Sequence, residues 1–396
     1  MIYDYSGLGI YTAPSILVGM DEIKRQALEK HKELRGKIEV TLKDQLDEPE
    51  KLKLYYTPGV GAVSSYVAEH PEEARDYTWL NNSVAVVSDG SAVLGLGNIG
   101  PLGALPVMEG KAMLFKQFAD IDAVPIVLDV HRADEIVAAV KAIAPSFGAI
   151  NLEDIAAPIC FEVEERLKQE LNIPIMHDDQ HGTAVVVLAG LINAMKVVGK
   201  KLSDCKVVLV GAGAAGVAIA KLLHKYAQPQ IVAVDSKGII EPSRDNLNTE
   251  KQLLLQFAQN IQPGSLADAV KDADIFIGVS QPGLLTADMV KTMAKNPVIF
   301  ALANPVPEIY PDEAKEAGAA VVATGRSDFP NQVNNALAFP GIFRGALDNR
   351  VNAITDEHKI AAAETIASFI QNPTADEIIP SIFAKGLTEK LSEQII

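Results

Sequence analysis

The 396-residue chain is poor in cysteine: it contains two, Cys160 and Cys205, and no CxxC pair. Both cysteines lie among apolar neighbours. This scarcity and spacing indicate two buried, reduced thiols in a cytoplasmic protein rather than a disulfide framework.

The chain also has no excess of positive charge. Its 35 lysines and arginines face 51 aspartates and glutamates, which gives a formal net charge of −16 and argues against a general affinity for nucleic acid or anionic membranes. No apolar run approaches the length of a membrane span. The first fifteen residues have no basic stretch followed by an apolar one. We therefore expect neither a membrane helix nor a secretory signal.

What the chain does contain is typical of a folded globular protein, with 48% hydrophobic and 22% charged residues. The chain is longer than a single hydrophobic core usually accommodates, which predicts two domains. A helix rich in lysine and glutamate is predicted over Asp21–Leu34. Nine short apolar runs follow: Ser83–Gly90, Pro125–Val130, Ala149–Asp154, Pro174–Asp179, Val207–Gly213, Ile231–Asp235, Asp274–Ser280, Val298–Pro305 and Ala320–Gly325.

Continuous apolar runs separated by helical patterns are typical of buried parallel strands, so the predicted class is α/β. We predict an N-terminal α/β domain over residues 1–160 and a C-terminal Rossmann-type, doubly wound parallel sheet over residues 161–396, with the active site in the cleft between them. Polar residues cluster at the carboxyl ends of the runs, where parallel sheets carry their chemistry. These residues are Asp89, Glu153, Asp154, Asp178, Asp179, Asp235 and Asn304. For each one, capping of the following helix is the alternative.

The segment VVLVGAGAAGVAIAKLL has the pattern G-x-G-x-x-G at Gly211, Gly213 and Gly216, between an apolar strand and an apolar helix. The first glycine permits a tight turn, the second lets the backbone approach a pyrophosphate, and the third allows close packing of helix on strand. Asp235 ends the next strand, where a carboxylate binds the ribose hydroxyls and favours NAD over NADP. The following Ser236–Lys237 could instead receive a 2′-phosphate, so NADP stays possible.

A second segment, GLGNIG (Gly95–Gly100), has the same glycine spacing. It is followed by PLGALP, whose two prolines make a poor start for a helix. We therefore predict a tight loop near the substrate and no second cofactor site.

Two acidic pairs stand at strand ends, Glu153–Asp154 and Asp178–Asp179. Oxygen ligands in this number suit Mg²⁺ or Mn²⁺. The flanking His177 and His181 would suggest zinc if one helix presented both, but His177 is predicted to belong to the strand end. The other alternative to a metal site is that the four carboxylates are solvated and only cap helices.

Two further segments are candidates for acid–base work. YYTPGVG (Tyr55–Gly61) presents tyrosines beside a Pro-Gly turn, and MEGKAMLFK places Lys111 in an apolar stretch. A partly buried lysine beside a metal cation would have its pKa lowered and become a usable base. Packing of the tyrosines and a surface position for the lysine are the structural alternatives.

Taken together, these segments resemble the malic enzymes in order and spacing, most closely the short bacterial form. The matching segments are YYTPGVG, SDGSAVLGLGNIG, EGKAMLFK, INLEDIAAP, HDDQHGTA, GAGAAG, ALANP and NQVNNALAFPG. HDDQHGTA and YYTPGVG are specific to that family, whereas GAGAAG is not. The resemblance implies oxidative decarboxylation of L-malate to pyruvate and CO₂ with NAD(P)⁺ and Mg²⁺ or Mn²⁺, and a homodimer.

The resemblance also implies roles for individual residues. Lys111 would take the hydroxyl proton with the assistance of Asp178, and Tyr56 would protonate C3 of enolpyruvate. The metal ligands would be Glu153, Asp154 and Asp179. The cofactor-binding residues would be Gly211, Gly213, Ala214, Ala215, Gly216, Asp235 and Asn304, and the substrate-binding residues Asn304, Asn334 and Asn335.

One position departs from the long members of that family. They have an arginine that grips a malate carboxylate where this chain has Ala92. The backbone amides around Gly90–Gly95 and the guanidinium of Arg326 are the two alternatives for that role. Two other functions stay open: malolactic conversion of malate to lactate with bound NAD, and a dinucleotide-binding sensor without turnover.

Overall fold

The computed structural model describes residues 22–93, 95–245, 247–258 and 261–396. The first fifteen residues, on which the prediction about a secretory signal rests, lie outside this part of the chain, as does Asp21. The chain divides into two compact units, residues 1–44 and residues 45–396. In the first unit the predicted helix is present as α1 (Glu22–Leu34), which has no buried residue.

The described residues of the second unit form two β-sheets. Their strands are β1 (Ser83–Ser88), β2 (Asp122–Val127), β3 (Ala149–Leu152), β4 (Ile175–His177), β5 (Lys206–Val210), β6 (Gln230–Asp235), β7 (Gly238–Ile239), β8 (Ile275–Gly278), β9 (Val298–Ala301) and β10 (Val321–Thr324). The strand orders are β2-β1-β3-β4 and β10-β9-β8-β5-β6-β7. Neighbours pair in parallel except β6 and β7, which are antiparallel. All nine predicted runs form strands, and the short β7 was not predicted.

Helices cover the sheets and connect the parallel strands. They are α2 (Pro49–Tyr55), α3 (Gly59–Glu69), α4 (Ala74–Tyr77), α5 (Gly100–Ala119), α6 (Ala133–Ile143), α7 (Ile159–Glu170), α8 (Asp178–Val198), α9 (Ala214–Ala227), α10 (Thr249–Phe257), α11 (Leu266–Val270), α12 (Ala287–Lys291), α13 (Pro311–Glu316), α14 (Phe339–Asp348), α15 (Asp356–Ser368) and α16 (Leu387–Ser392).

The second sheet has the strand order expected of a Rossmann-type fold. The chain runs from β5 outward to β6 and then returns to β8 on the other side of β5. This reversal makes the carboxyl end of β5 a topological switch point, where such sheets bind ligands. The predicted α/β class with a C-terminal Rossmann-type sheet is thus confirmed. The domain division after residue 160 stays a prediction, although the first sheet continues beyond it to β4.

Helix α8 lies in the apolar core between the sheets. One cluster of buried side chains includes Val86 from β1, Leu188 from α8 and Leu209 from β5. The helix is long and apolar enough to cross a membrane, with a mean hydropathy of 1.6, so the expectation that no run reaches that length was wrong. However, 72% of its apolar window is buried inside the protein, where it packs on α9 and α15. Its apolar surface is therefore covered by the protein itself.

Helix α5 begins inside the segment that was predicted to resist helix formation. That prediction was wrong: Pro101 stands in the first turn of α5, where the missing N–H removes no helical hydrogen bond, and Pro106 is tolerated inside the helix. The preceding glycines form a tight loop, as predicted: Gly95 and Gly97 both have φ of 72°, and the amides of Leu96 and Gly97 donate to Val93 O.

The two cysteines are buried and free, as predicted. The Cys205 thiol donates to Lys201 O at 3.2 Å. Burial raises the pKa of the Cys160 thiol to about 12, so this group is a neutral thiol at physiological pH.

Candidate active site

A cleft of about 530 Å³ lies at the carboxyl ends of the strands. Loops that follow β1 and β3 of the first sheet contribute to its wall together with α8 and the loops of the second sheet. The lining residues are Ala92, Gly95, Ile155, Ala157, Asp179, Thr183, Val186, Ala214, Ala215, Val279, Ser280, Leu302, Ala303, Asn304, Gly325, Val333, Asn334 and Asn335. Six of the predicted site residues are among them.

Lys111 is buried beside this cleft. Its Nζ lies 2.6 Å from Asp178 Oδ2 and 2.8 Å from Glu153 Oε1, and 4.2 Å from the ring centroid of Phe339. Burial alone would lower the pKa of Lys111, but the two carboxylates outweigh it and hold that pKa above its ordinary value. With these neighbours Lys111 is an ammonium, and it becomes a base only where other positive charge competes for the carboxylates.

The two acidic pairs meet because β3 and β4 are adjacent parallel strands. Glu153 and Asp154 follow β3, whereas Asp178 and Asp179 form the first turn of α8 directly after β4. Asp179 Oδ2 accepts a hydrogen bond from the backbone N–H of Asp154 at 2.8 Å. This bond holds Asp154 in the left-handed region, at φ 53°, a conformation that aspartate tolerates better than most residues.

The acidic cluster has an excess of buried negative charge. Burial raises the pKa of Glu153 well above its ordinary value; Lys111 opposes this shift, while the neighbouring aspartates add to it. Burial likewise raises the pKa of Asp178. Four carboxylates around one ammonium in a low-dielectric site favour a further cation, and an all-oxygen donor set fits Mg²⁺ or Mn²⁺.

The predicted metal ligands lie in the same region, but their carboxylate oxygens are not close enough together to coordinate one ion. A different group meets the distance expected of metal ligands. In the described ranges, the ligand atoms that all lie within 4.8 Å of one another belong to His70, Glu72 and Glu73. The oxygens of Glu153, Asp154 and Asp179 are therefore farther apart than that. Their assignment as ligands stays a prediction, and coordination requires them to draw together.

The histidines that suggested zinc have separate positions. His177 ends β4, as predicted, whereas His181 lies on α8. Glu164 of α7 connects them, since its Oε1 accepts from His177 N and its Oε2 lies 2.9 Å from His181 Nε2. Burial lowers the pKa of His181 to about 4 despite the Glu164 carboxylate, so His181 is neutral. Sequence reasoning missed Glu164, whose signal was a charged residue on the apolar face of a helix.

The glycine-rich turn has the geometry that its pattern predicts. Gly211 has φ of 122°, and α9 begins at Ala214. A Cβ on Gly216 would lie 1.9 Å from Gly211 O, whereas a Cβ on Gly213 would have nothing within 4 Å. Gly216 is therefore required for packing, and Gly213 leaves space for a ligand.

These two glycines predict different effects for the same substitution. We expect Gly213→Ala to leave the melting temperature of the protein unchanged but to raise KM for the dinucleotide, because the new methyl group occupies the space of the pyrophosphate. We expect Gly216→Ala to lower the melting temperature, because the methyl group meets the Gly211 carbonyl. Thermal unfolding and KM measured on both variants check this. An unchanged KM in a folded Gly213→Ala protein would contradict the cofactor position.

Asp235 ends β6, as predicted, but two cations contact it. Its Oδ2 lies 2.7 Å from Arg244 Nη2 and 2.9 Å from Lys251 Nζ, and its Oδ1 accepts from Lys237 N. Burial opposes ionisation here, yet the hydrogen bonds from Arg244 and Lys251 lower the pKa of Asp235 to about 2. Sequence reasoning missed both cations, because they come from a loop and a helix with no motif of their own.

The predicted asparagines surround the cleft. Asn304 follows β9, and the backbone beneath it is held by the buried carboxylate of Glu308, which accepts from Ala303 N at 3.0 Å and Ser280 N at 3.1 Å. Asn335 Nδ2 donates to Asp178 Oδ2. Asn334 Oδ1 accepts from Ala336 N at 2.9 Å. Asn335 thus connects the cleft wall to the carboxylate that contacts Lys111.

Tyr56 is not brought to this cleft. It follows the last residue of α2, its side chain is 66% exposed, and it is not among the lining residues. Its predicted acid role requires a pocket without water, which this position does not provide. That role stays a prediction.

Both alternatives for holding the malate carboxylate stay predictions, and Gly95 from the first of them lines the cleft. The backbone N–H groups of Gly90, Ser91, Ala92 and Val93 already donate within the protein, and position 94 lies outside the described residues. Arg326 donates to both oxygens of Asp328, at 2.8 and 2.6 Å, and to Pro305 O at 2.7 Å.

Comparisons with known proteins agree with this arrangement. A family model described as "Malic enzyme, NAD binding domain" matches residues 180–389, and one described as "Malic enzyme, N-terminal domain" matches residues 35–135 and 131–168. The chain is 55% identical over 377 residues to a bifunctional malic/malolactic enzyme of Bacillus subtilis, covering 94% of this chain and 92% of that protein. It is 54% identical over 367 residues to an NAD-dependent malic enzyme of Geobacillus stearothermophilus, covering 91% and 76%. The crystal structure of an NAD-dependent malic enzyme from Thermotoga maritima superposes with a TM-score of 0.91 at 51% identity, covering 93% of this chain and 98% of that chain.

Proposed function

This chain belongs to the malic enzyme family and catalyses the oxidative decarboxylation of malate with NAD(P)⁺, and from that premise we propose which residues carry out the reaction. The observation that carries the proposal is the buried contact of Lys111 with Asp178 and Glu153 at the edge of the cleft. It joins the predicted base to the residue predicted to assist it, Asp178, and to one predicted metal ligand, Glu153. A homodimer and a cytoplasmic location stay predictions.

A divalent cation bound by Glu153, Asp154 and Asp179 would supply Lewis acidity at the hydroxyl and 1-carboxylate oxygens of malate. With positive charge from that cation competing for Glu153, Lys111 would be a neutral amine placed to accept the proton of the 2-hydroxyl group. A nicotinamide bound in the cleft would supply the hydride acceptor for C2. Asp178 holds the Lys111 side chain in place through the 2.6 Å contact. Its own position is fixed in turn by Asn335.

The other wall of the cleft orients the two ligands. Ala214 and Ala215 place the N-terminus of α9 at the cleft, where its free amides bind a pyrophosphate. Asn304 and Asn334 line the cleft and would bind malate and the nicotinamide amide. Asp235 would accept hydrogen bonds from the ribose hydroxyls, which favours NAD.

We propose Tyr56 as the acid that protonates C3 of enolpyruvate. We expect Tyr56→Phe to slow this protonation by roughly 10²-fold or more, because a general acid contributes on that order, and to leave hydride transfer to pyruvate unchanged. Tautomerisation of enolpyruvate and reduction of pyruvate, assayed separately, distinguish the two steps. The neighbouring exposed Tyr55 provides the control variant Tyr55→Phe. If Tyr56→Phe and Tyr55→Phe tautomerised enolpyruvate at equal rates, Tyr56 would be excluded as the acid.

The Bacillus subtilis relative, whose name includes malolactic activity, supports a second candidate, the conversion of malate to lactate. One assay separates the two functions: malate, Mn²⁺ and NAD⁺ or NADP⁺ are supplied, and reduced cofactor, pyruvate and lactate are measured. Malic activity gives equal amounts of reduced cofactor and pyruvate, whereas malolactic activity gives lactate without reduced cofactor. Chelation of Mn²⁺ with EDTA is expected to stop either reaction, and turnover that survives it would contradict the proposed metal role.

A further inference from the structure

Glu164 of α7 is a buried carboxylate that the proposed reaction does not use. Its side chain is 8% exposed, and Lys168 Nζ lies 2.7 Å from its Oε1. Burial opposes ionisation here, but the contacts with His181 and Lys168 outweigh it and hold the pKa of Glu164 well below its ordinary value. Glu164 is therefore an anion. Because desolvation offsets much of the Coulomb attraction in a buried ion pair, stability alone is a weak reason for a charge at this position.

The two oxygens of Glu164 bind the two ends of one short segment. Oε1 accepts a hydrogen bond from the backbone N–H of His177, and Oε2 lies 2.9 Å from Nε2 of His181. These contacts bracket the β4–α8 turn (residues 177–181), which includes the last residue of β4 and the first four of α8. Asp178 and Asp179 lie between the two contacts. One carboxylate from α7 therefore holds the turn that carries both acids.

The hydrogen bond to His177 N replaces one that helices often make within themselves. His177 is the N-cap residue of α8, and among the described residues its side chain makes no capping hydrogen bond. In a capping box, the N-cap N–H is bound by a side chain of the helix's own first turn. Here the acceptor comes from α7 instead, so the acids of that first turn serve other partners. Asp178 contacts Lys111, and Asp179 accepts from Asp154 N.

The same contact places the ring of His177. The ring is fully buried, and neither of its nitrogens has a hydrogen-bond partner in the part of the chain that the structure describes. Its Nε2 lies 3.7 Å from Asp179 Oδ2, somewhat farther than a hydrogen bond. Carboxylates that bind metal ions are themselves oriented by neighbouring hydrogen-bonding groups. By holding the backbone of His177, Glu164 keeps this ring beside the predicted ligand.

We propose that Glu164 is a positioning residue that fixes the β4–α8 turn, so that Asp178 and Asp179 keep the orientations that the reaction requires. The proposal rests on the metal site proposed above and adds a residue that touches neither the substrate nor the ion. A ligand that is held in place before the ion binds loses less conformational freedom on binding, which raises the affinity. Glu164 thus contributes to metal binding from outside the set of ligands.

Two substitutions of Glu164 separate its hydrogen bonds from its charge. Glu164→Gln removes the charge but keeps the length, since the amide oxygen can accept from His177 N and the amide nitrogen can donate to a neutral imidazole. Glu164→Asp keeps the charge but is one methylene group shorter, so it cannot reach both partners. We expect Glu164→Asp to raise the dissociation constant of Mn²⁺ by about tenfold or more, as for other partners of metal ligands, and Glu164→Gln to stay close to wild type.

Isothermal titration of Mn²⁺ into protein freed of metal by EDTA measures these constants without turnover, and thermal unfolding is measured beside it. A merely structural Glu164 would lower the melting temperature of the variants and leave the Mn²⁺ constant of the folded protein unchanged, which would overturn the proposal. Equal weakening in Glu164→Asp and Glu164→Gln would also overturn it, because the charge and not the pair of hydrogen bonds would then be responsible.

His181→Phe keeps the protein testable if a Glu164 variant does not fold. It removes one of the two contacts of Glu164 while it keeps a ring in place, so it should weaken Mn²⁺ binding in the same direction, and an unchanged constant would contradict the proposal. The control is Glu165→Asp, which changes the next residue of α7, an exposed glutamate that accepts from Gln169, and should bind Mn²⁺ like wild type. A folded wild-type protein that binds no Mn²⁺ would instead overturn the metal site itself.

Discussion

Replacing Lys111 by alanine is expected to lower kcat for malate oxidation roughly 10²–10⁴-fold, the range for the loss of a general base. The reason is geometric, because Lys111 Nζ is the amine held by Asp178 and Glu153 at the cleft. Since the base acts in the chemical step, KM for malate should change less than kcat. Steady-state kinetics with malate, Mn²⁺ and NAD⁺ gives both constants.

The matched control for this variant lies one turn farther along α5. Lys116 is half-exposed and pairs with Asp120 and Asp122 at the surface, so Lys116→Ala removes the same charge away from the cleft and should keep ordinary turnover. Small primary amines added to Lys111→Ala should restore part of the lost activity, since the truncated side chain leaves space for them. A folded Lys111→Ala protein with turnover close to that of the wild type would exclude Lys111 as the base.

Replacing Asp179 by asparagine is expected to raise the Mn²⁺ concentration required for half-maximal activity by about 100-fold or more, because even outer partners of metal ligands contribute 10–100-fold to affinity. Asparagine retains an oxygen that can accept the hydrogen bond from Asp154 N and removes only the charge. The turn should therefore keep its shape. Activation curves on EDTA-treated protein measure the requirement.

A second readout separates a ligand from a structural residue. Mn²⁺ should raise the melting temperature of the wild-type protein, as expected for a ligand that binds the folded state, and should raise that of Asp179→Asn much less at the same concentration. Asp134→Asn changes an exposed aspartate that pairs with Arg166 and serves as the control. If Mn²⁺ raised the melting temperatures of Asp179→Asn and wild type equally, Asp179 would be a helix cap and not a metal ligand.

The strands were predictable because the signal for a buried parallel strand is local. Each of the nine strands found at a predicted run is a short and mainly apolar segment, and an apolar composition of this kind is a property of the segment itself. Helix boundaries were less predictable, because a polar first turn such as that of α8, which begins at Asp178, depends on tertiary contacts. The start of α5 was missed because Pro101 counts against a helix only beyond the first turn.

Six residues that line the cleft were named from the sequence, but the contacts between the side chains around it were not predictable. The adjacency of the two acidic pairs follows from the pairing of β3 with β4. The contacts of Phe339 with Lys111, of Asn335 with Asp178, and of Arg244 with Asp235 join residues that no local pattern relates. Gly182 is a further example, since a Cβ there would lie 2.0 Å from Asp178 Oδ1.

By itself the sequence determined the α/β class, the dinucleotide turn and the set of carboxylates, because periodicity, glycine spacing and strand-end polarity are properties of neighbouring residues. The tertiary structure alone decided which charges face one another: that Lys111 is flanked by two acids, that Asp235 is flanked by two cations, and that Tyr56 lies outside the cleft. The physical reason is that Coulomb interactions and desolvation depend on distance in space, which residue order along the chain does not specify.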